Sequence, residues 1–420
     1  MSSLCDYERL SATDAAAALA TAGARGVLVR GSGCSYGDAA LNTGGTALTL
    51  APEDPTVLPH GVVVAGAGTS FETLLRTILP TGWTLPVLPG TRHLTLGGAI
   101  AADVHGKNHL QDGSIATWLD EVVLLDGAGR RWVTRPGDPE FAATVGGMGL
   151  TGMILGATLR LLPAEGTHVE VSNQRLPDLD KVMAALDVAA RRSRYAVAWV
   201  DAFARGRGVV SEARWTGSPF RKPYSPTQHL VAPPVPLSVV TPLTARTFNA
   251  AWWRLPGHQR SSVTTLTSFF HPLDGVRQWN RLYGPRGFLQ YQFVVPDDAA
   301  HLVGDALGEL TAAGGVPFLG VLKRFGDASE GLLSFPRPGW SLAVDLPPTS
   351  GLGAVLDRLD NRVAAAGGAV YLAKDARLSA ELVEDMYPHV KEWRDVQSRL
   401  DPEGLFRSDL DRRLGLVRRA

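Results

Sequence analysis

Residues 27 to 42, VLVRGSGCSYGDAALN, run from an apolar β-type stretch into a loop carrying Arg30, Gly31, Gly33, Ser35, Tyr36, Gly37 and Asp38. Glycines let backbone N–H groups close around an anion and the polar side chains add specific contacts, so the loop reads as a cradle for a phosphate-bearing ligand. The dinucleotide turn of a Rossmann sheet needs G-x-G-x-x-G running directly into a helix. Gly31 and Gly33 fit that pattern, but Tyr36 takes the third position, and TALTL at 46 to 50 reads as another strand. On this segment alone, a surface loop with incidental glycines stays open.

Two further passages bear on the choice. LPVLPGTRHLTLGGAIAADVHGKNH, residues 85 to 109, turns at Gly90; Thr95 then precedes Gly97-Gly98 and a run of small residues, predicting a helix whose N-terminus suits a pyrophosphate. ATVGGMGLTGMILGATLRL, residues 142 to 160, again sets glycines before an apolar strand. Three such passages suit one long ligand threaded across several loops, such as FAD.

The elements that must position these loops follow from periodicity. A strand at Val62 to Val64 leads to a helix capped by Thr69 or Ser70, with Phe71, Leu74, Leu75, Ile78 and Leu79 on one apolar face. Residues 119 to 134 read as a hairpin around Asp126-Gly127, and 151 to 162 as a further strand. Strands with few helices and many glycine turns indicate an α+β class up to about residue 165. A second unit follows, with strands expected at 195–201, 264–270, 288–295, 317–323 and 341–346 and helices at 178–192, 298–313 and 352–366, an antiparallel sheet flanked by helices. The last 40 or so residues return to helix, with Ser379 as a cap and Pro388 dividing it. The proline-rich stretch 219–242 reads as a long loop or lid.

Composition bounds the function classes. The chain has 420 residues, 45% hydrophobic and 20% charged, and its 41 Lys plus Arg balance 41 Asp plus Glu. That excludes a disordered or fibrous chain and gives no overall field for nucleic acid. Arg412-Arg413 and Arg418-Arg419 read as a solvated helix end, with peripheral contact to anionic lipid as the alternative. Cys5 and Cys34 form neither a disulfide framework nor a zinc spacing, which fits a reducing compartment. The N-terminus lacks a basic start followed by an apolar core, and no run of about 18 apolar residues occurs, so a cytoplasmic, non-spanning protein is expected.

RGSGCSYGD, LPGTRHLTLGGAIAADVHGKNH and ATVGGMGLTG resemble the flavin-binding half of the vanillyl-alcohol oxidase superfamily. FHPLDGVRQWNRLYGPRGFLQYQFV (270 to 294), VLKRFG (321 to 326), YLAKD (371 to 375) and WRDVQSRLDPEGLFRSDLDRRL (393 to 414) extend the resemblance, within it, to the decaprenylphosphoryl-β-D-ribose 2′-oxidase family. The resemblance implies a two-domain flavoprotein: a PCMH-type FAD-binding domain from residues 1–165, completed by 369–420, and a substrate domain at 166–368. The FAD contacts it implies are Arg30, Gly31, Ser32, Gly33, Cys34, Ser35, Tyr36, Gly37, Asp38, Ala39, Gly90, Thr95, Leu96, Gly97, Gly98, Ala102, Asp103, Val104, His105, Ile154 and Tyr371. Cys34 stands where some relatives carry a flavin-linked histidine, so non-covalent FAD is expected, with a cysteinyl link as the alternative. The implied reaction oxidises the 2′-hydroxyl of a polyprenyl-phosphoryl ribose to a ketone. A separate NAD(P)H-dependent short-chain reductase would complete epimerisation to the arabinose used in cell-wall arabinan. Two readings compete: FAD-dependent oxidation of another sugar or nucleoside alcohol in specialised metabolism, and a flavin-free binding protein on the same scaffold.

Alcohol oxidation needs loss of the hydroxyl proton and transfer of the carbinol hydride, so the reacting end must orient the alcohol and stabilise negative charge on the reduced flavin. Lys374, in the polar break YLAKD, is the first catalytic candidate; a surface lysine is the ordinary alternative, which the resemblance outweighs. Tyr36 is a candidate for hydrogen-bonding the alcohol or the flavin edge, and His105 for orienting substrate or handling a proton, with Lys107 nearby. His105 and His109 have the spacing of a helical metal pair, but no carboxylate accompanies them and Gly106 weakens a helix there. Gln290 and Gln292 share one face of a β-run that would ordinarily look to water; by resemblance they line the substrate pocket with Lys323, a phosphate contact. Trp199 would wall the pocket. At positions where relatives carry pocket Tyr and Asn this chain has Phe270 and Ser341, and Ala343 replaces a cysteine of some relatives, which leaves the chemistry better specified than the exact substrate.

Overall fold

The computed structural model describes residues 6–20, 23–216, 223–226, 230–255 and 261–418. Cys5, Arg419 and parts of the proline-rich stretch lie outside them. Strands β1 (Asp6–Leu10), β2 (Val27–Val29) and β3 (Thr46–Leu50) form a parallel sheet in the order β1-β3-β2. Beside it, β4 (Thr56–Leu58), β5 (Val62–Gly66), β6 (Leu119–Leu125), β7 (Arg131–Thr134) and β8 (Met153–Arg160) make an antiparallel sheet in the order β4-β5-β8-β6-β7. The expected hairpin is β6–β7, its turn held by Asp126 Oδ1, which accepts the N–H groups of Ala128 and Arg130. Helix α1 (Phe71–Ile78) starts at Ser70, whose side chain accepts the Thr73 N–H, and buries Phe71, Leu74, Leu75 and Ile78 as the spacing required. Helix α2 (Leu96–Ala101) is capped by Thr95 Oγ1.

The second sheet is larger. It contains β9 (His168–Leu176), β10 (Tyr195–Asp201), β11 (Arg207–Trp215), β12 (Ser261–Thr265), β13 (Leu289–Val295), β14 (Gly320–Phe325), β15 (Gly339–Leu346) and β16 (Ala369–Val370), ordered β12-β9-β11-β10-β14-β15-β13-β16. Every neighbouring pair is antiparallel. Because side chains alternate across a strand, register sorts residues onto two faces. Ala198, Leu322, Leu342 and Phe293 fall in one row, all fully buried in the core. The adjacent row, Trp199, Val321, Ala343 and Gln292, belongs to the opposite face, and so do Lys323 and Ser341, which pair directly.

Helix α3 (Leu179–Arg192) packs on β10 and β11, and α4 (Pro242–Arg254) follows the proline-rich stretch. The strand expected at 264–270 is corrected: it ends at Thr265, whose hydroxyl caps α5 (Leu266–Phe270) by accepting the Ser268 N–H. β9 and β11 were not expected at all. Their polar residues pair across the strands, Arg214 with Glu170 and Ser211 with Asn173, which hides the alternation from a reading based on apolar residues. Helices α6 (His301–Ala312) and α7 (Leu352–Ala365) match expectation. Near the C-terminus Ser379 caps a short helical turn, the helix breaks at Pro388, and α8 (Val390–Leu400) returns to the first region, where Trp393 Nε1 donates to the Ala143 carbonyl. Arg412 and Arg413 are not a solvated helix end, whereas Arg418 is exposed. Within α9 (Asp409–Leu414), Arg413 pairs with Asp38 and Asp375, while Arg412 donates to the Arg25 carbonyl and Asn42. No helix of the described residues is long and apolar enough to cross a membrane.

Candidate active site

The three glycine passages converge. A cleft of about 300 Å³ is lined by Arg30, Gly31 and Ser32 from the first loop, Thr95, Gly97 and Gly98 from the second, and Gly149, Gly152 and Ile154 from the third. Among the described residues no backbone N–H from Gly31 to Ser35 has a hydrogen-bond partner, and Gly33 sits at φ +64°. A run of unpaired N–H groups around a left-handed residue is an anion nest. Gly31 faces Thr95 so closely that a Cβ there would lie 2.3 Å from its Oγ1. These features fit a phosphate-bearing cofactor.

The α2 N-terminus plays a different part from the one its sequence suggests. Its first three donors are taken: Leu96 N–H by the Thr69 carbonyl, Gly97 N–H by the Ala67 carbonyl and Gly98 N–H by Thr95 Oγ1. The first loop, not this helix, carries the free donors.

The same loop reaches the reacting end. Tyr36 N–H donates to the Ala373 carbonyl at 3.0 Å, and Gly37, at φ +82°, approaches Asp375 so closely that a Cβ would lie 2.0 Å from its carbonyl oxygen. Only glycine fits there. This contact seats Tyr36 under Lys374, whose Nζ is 3.7 Å from the centre of the tyrosine ring, a cation–π distance.

Opposite lies the polar face of the large sheet. The Gln292 amide nitrogen is 3.1 Å from His105 Nε2 and 3.2 Å from Ser341 Oγ, so it donates to the imidazole and fixes the proton on Nδ1. His105 Nδ1 is buried with no hydrogen-bond partner among the described residues. Burial, reinforced by the Lys323 charge, pushes the His105 pKa far below the usual imidazole range, so the ring is neutral. Burial also pulls the lysines down: Lys374 to about 8, Lys323 to about 8 and Lys107 to about 7. Among the described residues none of the three is within ion-pair distance of a carboxylate. Asp345, on the same sheet face, accepts from Gln290 Nε2 at 2.5 Å. Burial raises its pKa to about 6, and its charge opposes the depression of Lys374. Asp345 escaped the sequence reading, although its alternation with Ser341 and Ala343 places it on the site face. Gly149 and Gly152 escaped as individual residues, although their passage was singled out.

Other expected residues sit around this core. Cys34 is partly buried beside Lys374, Asp274 and Arg30, and burial raises its thiol pKa. Lys107 donates to the Phe269 carbonyl, with its Nζ 4.0 Å from the Phe269 ring centre and 5.8 Å from that of Phe270. Phe270 is fully buried against Tyr195, behind the lysine. Trp199 shares the site face of the sheet. Tyr371 stacks on Phe335, 4.6 Å between centres, and spends its hydroxyl on the Ala102 carbonyl. Several side chains point elsewhere: Asp38 pairs with Arg413, Ala39 and Leu96 are core, and Asp103 is held by Ser329, Ser334 and the Ala116 N–H. Gly90 has open space around it. Val104 is backbone-bonded to Ala99 and Ile115. His109 accepts from the Gly326 N–H, and no metal-ligand group of three exists among the described residues.

A glycine-lined anion nest running into a pocket where His105 and buried lysines meet the polar sheet face fits a flavoprotein oxidoreductase, and residues 10–135 match the FAD binding domain family. The chain is 39% identical over 415 residues, 94% of its length, to the decaprenylphosphoryl-β-D-ribose oxidase of Mycolicibacterium smegmatis, covering 90% of that protein. It is also 38% identical over 369 residues to an uncharacterised Streptomyces coelicolor protein, covering 83% of this chain and all of the relative. An alditol oxidase from a Streptomyces species matches 102 residues, 24% of each chain, at 29% identity. The chain belongs to the decaprenylphosphoryl-β-D-ribose oxidase family, within the vanillyl-alcohol oxidase superfamily, and is an FAD-dependent oxidoreductase.

Proposed function

We propose that the protein oxidises the 2′-hydroxyl of a polyprenylphosphoryl ribose, of the kind named for its Mycolicibacterium relative, to the 2′-ketone. The observation that carries this reading is the charge gathered at the sheet face, Lys323 on its strand and Lys107 and Lys374 on adjoining loops. Among the described residues, all three are buried with no carboxylate in ion-pair contact, and Asp345 is the acid beside them. Buried cations without counter-ions are costly, and a substrate phosphate supplies the missing charge.

Bound FAD would supply the acceptor for the carbinol hydride. The Gly31–Ser35 N–H groups and Arg30 would hold its phosphates, and Gly97, Gly98, Gly149, Gly152 and Ile154 would form the walls. Cys34, with its thiol kept neutral by burial, leaves the flavin non-covalent. Lys374, steered by Tyr36 and Asp345, accepts the hydroxyl proton in its neutral form and stabilises developing negative charge in its cationic form. Neutral His105, oriented by Gln292 and Ser341, hydrogen-bonds the sugar through Nδ1–H. Gln290 fixes Asp345. Lys323 and Lys107 contact the phosphate, and Trp199 closes one side. Residues 1–165 with 369–420 serve the cofactor and 166–368 the substrate. The keto sugar then goes to a separate NAD(P)H-dependent reductase.

Trapping the product tests the reaction. Borodeuteride reduction after turnover places deuterium at C2′ and yields both ribo and arabino epimers. Label at another carbon, or none, removes the 2′-oxidation.

A further inference from the structure

The charge balance of the whole chain hides one segment that is strongly biased. Between residues 216 and 288 the sequence holds eight basic residues, Arg221, Lys222, Arg246, Arg254, Arg260, Arg277, Arg281 and Arg286, against one acid, Asp274. Asp274 is buried and paired with Arg92, so it neutralises none of them. Among the described residues, none of the arginines of this segment is within ion-pair distance of a carboxylate, whereas Arg191, Arg192 and Arg214 elsewhere on the surface are.

The same segment gathers the exposed apolar side chains. Of the thirteen large hydrophobics exposed among the described residues, nine lie between positions 230 and 263, with Leu237 76%, Leu243 75% and Leu230 65% exposed. Residues 230–240, helix α4 and the 276–286 segment are held together, with Val240, Ala245 and Tyr283 in one apolar cluster. Val231 pairs with Arg277, Arg281 donates to the Ala232 carbonyl, and the Val239 N–H donates to the Leu282 carbonyl. Helix α4 is fastened from its inner side. Asn249 donates to Asp201, and the Arg175 and Arg207 guanidinium groups lie 4.7 and 4.8 Å from the Trp253 ring centre. That leaves Leu243, Phe248 and Trp252 facing outward. From Phe248 an aromatic track leads inward: Phe318 at 5.1 Å, then Tyr283 and Phe288 in the same apolar cluster, then Tyr36, 5.3 Å from Phe288 and under Lys374.

We propose that the surface formed by residues 230–255 with Arg277 and Arg286 docks on an anionic lipid bilayer, apolar side chains entering the interface and arginines meeting the headgroups. An apolar patch rimmed by unneutralised cations is complementary to an anionic lipid interface and poorly suited to a second copy of itself, whose arginines would repel. The docking stands on the surface alone. Delivery of a lipid-borne sugar along the aromatic track rests on the reading above.

The test is co-sedimentation of the holoenzyme with vesicles of phosphatidylglycerol and phosphatidylcholine, beside vesicles of phosphatidylcholine alone. Binding to the anionic vesicles, weakened by high salt and lowered at least tenfold by Leu237→Glu with Leu243→Glu, supports docking; both positions are exposed, and an unchanged flavin spectrum and melting temperature confirm that the variant is folded. An arginine-neutralising pair, Arg254→Gln with Arg277→Gln, is expected to weaken anionic binding with little effect on phosphatidylcholine. No binding to either vesicle overturns the proposal. So does a concentration-dependent dimer in sedimentation velocity that Leu243→Glu abolishes, which would assign the patch to self-association. Flavin reduction by a soluble phosphorylated riboside without vesicle binding removes the docking and leaves the sugar-oxidation reading intact.

Discussion

In the cleft, recognition is the work of the main chain. Unpaired N–H groups from Gly31 to Ser35 and glycines packed against Thr95 and Ala67 leave almost nothing to titrate. Where the sheet face meets the loops at 105–107 and 374, recognition belongs to side chains whose protonation is tuned by burial: neutral His105, three depressed lysines and one raised aspartate. The first region is sensitive to an added Cβ and indifferent to pH, and the second is the reverse. The contrast separates cofactor retention from turnover, and Tyr36 with Gly37 joins the two by seating the loop on residues 373 to 375.

Variants sharpen or break that division. Lys374→Ala is expected to slow substrate-driven flavin reduction by about 10³-fold with FAD retained, measured by stopped-flow absorbance. FAD loss would merge the regions. Gly31→Ala forces a Cβ into Thr95 Oγ1 and is expected to weaken FAD binding by about 100-fold, roughly 3 kcal/mol, read from flavin retained after ultrafiltration. Full retention would show that the first loop is not the cradle.

Asp345→Asn removes the charge that holds the Lys374 pKa up, so its neutral, proton-accepting form appears at lower pH. The ascending limb of the pH–rate profile is expected to move about one unit to acid, while below pH 6, where Asp345 is itself protonated in the parent, the two proteins converge. An unmoved profile would disconnect Asp345 from Lys374. Lys323→Met acts on stability rather than on rate. The Lys323 pKa is depressed to about 8 from 10.5, so burying the cation costs stability fully below pH 8, and the cost fades as pH rises towards 10.5. The variant is expected to be more stable at pH 7, by on the order of 2 kcal/mol in urea denaturation of the apoprotein, with the gain vanishing near pH 10.5.

How much of this was legible in the sequence differs by region. The glycine passages, the α1 face, the β6–β7 hairpin and the strands holding Gln292 and Lys323 were readable because each rests on local chemistry or alternation. Assignment of Thr95, Gly97 and Gly98 to a helix was also correct, but not that neighbouring carbonyls consume the donors of that helix. That depends on Thr69 and Ala67, brought close only by the fold. Asp103 and Asp38 looked like loop ligands because sequence cannot show Ser329, Ser334 or Arg413 arriving from more than 200 positions away. The strand expected over 264–270 failed because TLTSFF carries β-branched and aromatic residues, while the Thr265 cap turned the chain into a helix.

The most direct test of the anion-accepting sheet face is an anaerobic titration of the flavin absorbance with a short-chain prenylphosphoryl ribose and with the matching prenyl ribose lacking phosphate, at pH 6.5. Rapid bleaching by the phosphorylated compound, with at least a hundredfold weaker response to its neutral counterpart, is the predicted result. Equal bleaching by both, or bleaching by the neutral compound alone, would contradict it.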